Sequence, residues 1–73
     1  MYPQRNPIFT IGKYTVHYGK LSLDDLKDYW LEGPTVIGRL APLASFYNEG
    51  SAIRRAKDMA GKDNTDASSG NGK

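Results

Sequence analysis

The sequence has no cysteine among its 73 residues. That excludes disulfide staples and thiolate metal sites. A secreted chain of this length commonly needs such staples, so their absence points to a cytosol. No apolar run approaches the roughly 20 residues of a membrane-spanning helix, and no charged-then-apolar leader opens the chain. Histidine occurs once, as His17, and a lone imidazole without cysteine makes no familiar zinc site. No phosphate-binding glycine loop is present; Gly33 in "EGP" and Gly38 in "IGR" stand singly at expected element ends. Size adds a further limit. Below roughly 80 residues a single core supplies only about 3–5 kcal/mol of net stability. A deep catalytic cleft with a supporting shell is therefore not expected, nor is a metal or cofactor. The expected class is a binding module rather than an enzyme.

What is present is charge in blocks. The formal net charge is +2, but residues 1–20 carry Arg5, Lys13 and Lys20 without an acid. Residues 21–32 then hold Asp24, Asp25, Asp28 and Glu32 against Lys27. Residues 33–62 return to net positive through Arg39, Arg54, Arg55, Lys57 and Lys62. A protein that coats nucleic acid would show one continuous basic face, and this acidic block interrupts it.

Local patterning predicts an α+β fold: one small domain with an N-terminal β-hairpin packed on two or three short helices. "MYPQRNP", residues 1–7, has two prolines and no periodicity and reads as a flexible or extended arm. In "IFTIGKYTVHY", Phe9 and Ile11 alternate with Ile8 and Thr10, and Tyr14, Val16 and Tyr18 with Thr15 and His17. Gly12-Lys13 supplies a two-residue turn that pairs Ile11 with Tyr14 and Phe9 with Val16 on one face. "SLDDLKDYWLEGP" reads as a helix over residues 22–32: Ser22 caps, Asp24 and Asp25 sit in the first turn, Leu23, Leu26 and Trp30 recur at helical spacing, and Gly33-Pro34 stop it. "TVIGRLAPLASFYNEG" reads as mostly helix, with a short strand through Val36 and Ile37 as the other option. "SAIRRAKDMAG" reads as a last helix capped by Ser51 and ended by Gly61, with Ala52, Ile53, Ala56, Met59 and Ala60 as its apolar stripe. Residues 8–61 then form the globular binding domain. Residues 62–73 lack the apolar surface to offset ordering and are expected to be a disordered tail.

The expected core is Phe9, Ile11, Val16, Leu23, Leu26, Trp30, Ile37, Leu40, Leu43, Phe46 and Ile53. His17 is expected on the surface or the hairpin face. The three aspartates Asp24, Asp25 and Asp28 are better explained by the helix dipole and solubility than by acid–base chemistry. Five tyrosines and one tryptophan exceed what so small a core encloses, and Trp, Tyr and Arg are the residues that anchor interfaces. The hairpin's outer edge leaves backbone groups free for an added strand. Tyr14, Val16 and Tyr18 are therefore the candidate partner-binding residues. The basic start of "SAIRRAK" after a preceding helix also sketches a small helix-turn-helix-like DNA-binding repressor. Glu49 in the intended turn and the acidic block argue against that reading. A third possibility is a small structural or chaperone protein.

Taken whole, from "MYPQRNPIFTIGKYTVHYGKL" to "DASSGNGK", the chain resembles the small RNA-polymerase-binding transcription regulators of lytic Xanthomonas phages. The resemblance covers the full length and rests on no single motif. It implies a non-enzymatic protein of the host bacterial cytoplasm, monomeric when free. The implied partner is the host RNA polymerase, at the N-terminal region of its β′ subunit near the RNA exit channel. Inhibition of σ-dependent initiation, through interference with the σ factor, and suppression of intrinsic termination would follow. A protein placed there would set positive charge beside nascent RNA. Arg5, Lys13, Arg54, Arg55 and Lys57 are the candidates, because they lie outside the acidic block.

Overall fold

The fold is that of a computed structural model, which describes the backbone of residues 1–72 and the side chains of residues 1–62. Four strands and one helix follow in order: β1 (Pro7–Ile11), β2 (Tyr14–Tyr18), β3 (Tyr29–Pro34), β4 (Leu40–Phe46) and α1 (Glu49–Gly72). The strands form one antiparallel meander in the order β1-β2-β3-β4, and α1 packs across one face. The class is α+β in a single small domain, as expected from the sequence. The expected tail over 62–73 lies outside the described side chains, apart from Lys62.

The hairpin has the expected register. Ile11 pairs with Tyr14 and Phe9 with Val16, and Gly12 takes the positive φ of 58° that the turn requires. The segments expected to be helical between residues 22 and 47 contain β3 and β4 instead. Leu23, Leu26 and Trp30 satisfy a helical spacing, but Tyr29–Pro34 equally satisfies a period of two. Tyr29 and Leu31 point to one face, Trp30 and Glu32 to the other. Pairing decides between the readings. A two-stranded hairpin alone is marginal, and β3 provides the second partner for β2, with Val16 opposite Leu31 and His17 opposite Trp30. Ser22 and Asp25 close a local turn instead of capping a helix: Asp25 N–H donates to Ser22 O at 3.2 Å and Lys27 N–H to Asp25 Oδ1 at 2.9 Å. Such short polar side chains compete with helix formation by bonding nearby backbone.

β4 is an edge strand, which is where Pro42 can be accommodated. A register shift opposite Leu31 and Glu32 marks a bulge next to Pro42. Only one helix exists among the described residues, so a helix-turn-helix does not form. The helix begins at Glu49, two residues before the expected cap Ser51. Asn48 Oδ1 accepts the Ser51 N–H at 2.8 Å, the bond of an N-cap residue to the third helical residue. Gly61 does not end α1: it lies within the helix and lacks the left-handed φ of a terminating glycine.

The helix-side core is Tyr14, Val16 and Leu31 against Ala52, Ala56 and Ala60, with Phe9, Ile11, Leu43, Phe46, Ile53 and Met59 packed around them. The expected stripe of α1 is therefore the buried one. Four expected core residues are not in the core. Leu23, Leu26, Ile37 and Leu40 are 76%, 78%, 76% and 61% exposed, because they sit in loops or at a strand end rather than on a helix face. Trp30 is fully buried, yet on the opposite face of the sheet from α1.

Candidate functional site

The face away from α1 is closed by residues 4–6 of the N-terminal segment. They do not stand off as a free arm. Gln4 N–H donates to Lys20 O at 2.9 Å, and Tyr18 N–H to Asn6 O at 2.9 Å. Asn6 Nδ2 returns a bond to Tyr18 O at 2.7 Å. Trp30 Nε1–H donates to Gln4 O at 2.8 Å. Gly19 makes this docking possible. Its φ is 144°, and a Cβ there would lie 2.6 Å from Gln4 Cβ.

Under this segment Trp30 and His17, a cross-strand pair, stack at 4.3 Å between ring centroids and 18° between planes. Of the two expected positions, surface or hairpin face, His17 takes the second, on the face opposite α1, and is buried there. Its Nε2 lies 2.9 Å from Glu32 Oε1; a carboxylate only accepts, so the proton is on Nε2. Nδ1 is buried without a partner among the described residues. The other Glu32 oxygen lies 3.7 Å from Arg5 Nη2, and the Arg5 guanidinium sits 5.6 Å from the Trp30 ring centroid. Apart from that Nδ1 the cluster is paired and covered, and it secures the N-terminal segment. Nearby, Lys20 Nζ donates to Asp28 at 2.8 Å. That bond holds the Lys20 pKa above its ordinary 10.5, with smaller charge contributions from Asp28 and Asp25.

Among the expected partner-binding residues, Tyr14 and Val16 lie under α1 and are buried, so neither is presented to a partner. The two share one face, as the alternation predicts, and α1 covers it. Tyr18 is half exposed and packs against Tyr29 at 5.3 Å. The basic candidates do not share one face. Arg5 is tied to the Trp30 side, and Lys13 is exposed in the β1–β2 turn. Arg54, Arg55 and Lys57 are exposed on α1, Lys57 standing 5.8 Å from the Phe9 ring.

Two surfaces escape a reading of the sequence alone. The first is the β3–β4 tip. Thr35 donates twice to Arg39 O, from N–H at 2.8 Å and from Oγ1 at 3.0 Å, and Gly38 takes a φ of 83°. This closed turn projects Val36 and Ile37 outward, with Leu40 beside them. The second is the seam between α1 and β4. There the bulge brings Leu43 and Ala44 to a cleft of about 370 Å³ that Arg55 and Met59 also line. The proline in β4 was the available sign of an edge strand, and with it of an open seam.

Among the described residues no group of three or more His, Asp or Glu could hold a metal ion, and no helix is long and apolar enough to cross a membrane. Comparison of the chain with protein-family models, with curated proteins and with solved structures gives no match.

Proposed function

We propose that this chain is a non-enzymatic binding protein that acts on transcription. It binds a bacterial RNA polymerase at the N-terminal region of the β′ subunit, inhibits σ-dependent initiation and suppresses intrinsic termination. The observation that carries the binding part is the surface. Leu23, Leu26, Val36, Ile37, Leu40 and Tyr47 all stand more than half exposed on a domain whose own core is small. Large exposed apolar side chains gathered at the ends of a small domain mark contact surfaces. The choice of partner comes from the full-length resemblance to polymerase-binding phage regulators. Basic residues distributed over the turn, the helix and the N-terminal face suit phosphate contacts that position a complex without reading bases.

The test uses purified Xanthomonas polymerase and the full chain. Co-migration on size exclusion, reduced run-off from a σ-dependent promoter and increased read-through at an intrinsic terminator are expected. Failure to co-migrate overturns the reading. So does tight, sequence-selective binding of duplex DNA by the free protein.

A further inference from the structure

We propose that the groove between α1 and β4 seats a partner peptide that carries a bulky apolar side chain flanked by carboxylates. This rests on the reading of the chain as a protein-binding module. α1 makes its buried contacts through Ala52, Ala56 and Ala60 with Tyr14, Val16 and Leu31, over the middle of the sheet. Toward β4 the helix leaves Leu43, Ala44 and Phe46 only half-buried. Two clefts open along that seam. One, of about 370 Å³, has Leu43, Ala44 and Met59 among its walls. The other, of about 280 Å³, is formed by Phe46, Ser51 and Arg54. Arg55 and Asp58 line both, so the clefts are neighbours along the seam.

Leu43, Ala44, Met59 and Phe46 give the clefts apolar wall, and Arg54, Arg55 and Lys62 stand beside them. Asp58, the acid on the rim, lies 3.7 Å from Lys62 and is offset by it. Arg54 and Arg55 have no ion-pair partner among the described residues. Two free guanidiniums beside an apolar trench select a ligand with carboxylates next to an apolar anchor, since Arg–carboxylate pairs are strong and geometrically specific. RNA would use the arginines but set its sugars and phosphates against Leu43 and Met59, a poor match of polarity. The groove therefore fits an acidic, apolar-centred peptide better than a nucleic acid. The same fit gives "SAIRRAK" a role without a second helix.

The test titrates the isotope-labelled full chain with a synthetic decapeptide that has Leu-Phe at its centre and aspartates on both sides. A second titration uses oligouridylate. The peptide is expected to shift the amides of Ala44, Phe46 and Arg55. Reversing both charges, Arg54→Glu with Arg55→Glu, should weaken it by about tenfold or more and transfer preference to a peptide with lysines in place of the aspartates. Arg55→Ala, which adds no acid, gives the same direction if the double variant does not fold. No shift at millimolar peptide, an unchanged affinity in both variants, or oligouridylate occupying these residues while the peptide is inert would overturn the proposal. The polymerase assay separates the two readings. Peptide binding without polymerase binding keeps the groove and removes the polymerase. Polymerase bound equally by wild type and the charge-reversed variant keeps the polymerase and overturns the groove.

Discussion

On one face of the sheet three alanines, Ala52, Ala56 and Ala60, bring a helix close over Tyr14, Val16 and Leu31. On the other, irregular chain at residues 4–6 covers Trp30 and His17. The first closure relies on apolar burial and small side chains at helical spacing. The second relies on particular hydrogen bonds, from Trp30 Nε1 to Gln4 O and from Asn6 to Tyr18, around one large aromatic. A domain too small for a single thick core thus splits its burial between two thin ones, and each is sensitive to a different kind of change.

Removing the aromatic is the most damaging way to test the second closure. Trp30→Ala should cost about 3–5 kcal/mol, through lost burial and the cavity left behind. That is comparable with the whole margin of so small a domain, so circular dichroism should show a largely unfolded chain at 25 °C. A variant that melts where the wild type does would mean that this face contributes little. Overfilling tests the first closure. Ala56 is fully buried, and Ala56→Leu should cost about 1–3 kcal/mol as α1 is forced away from the sheet. Urea unfolding reads this directly, and an unchanged midpoint would show slack in the helix packing.

The smallest effect concerns the lysine that joins the N-terminal segment to the β2–β3 loop. Lys20 has a raised pKa in the folded chain because of its bond to Asp28. Its contribution is fully present below pH 10.5 and is lost as the pH rises through the folded-state value. Melting curves across the alkaline range should therefore fall slightly more steeply for wild type than for Asp28→Asn. Coincident curves would show that the pair adds nothing, as exposed pairs often do.

The same contrast explains what the sequence discloses. The hairpin, its register and the stripe of α1 are legible, because each is a local repeat of apolar residues that its own turn or helix period enforces. β3 and β4 are not. "YWLEGP" fits two periods at once, and only the need of β2 for a second partner selects the strand. The cover over Trp30 is the least legible part, since a contact between Gln4 and Trp30 has no local pattern to announce it. For the surface, "SAIRRAK" was visible as a basic stretch, but its place beside an open seam depends on β4 being a strand. Tyr14 and Val16 share one face of the hairpin, as their alternation predicts, and that face is covered by α1.

Both outer strands of the sheet carry a proline and a shift of register: Pro7 with the shift before Phe9 in β1, and Pro42 with the shift beside it in β4. An uninterrupted edge would recruit identical edges from other molecules and grow into stacked fibres. Here a second copy meets a missing N–H and a local twist on either side after only a few residues. The chain can thus keep apolar side chains such as Val36 and Ile37 outside without self-templated growth.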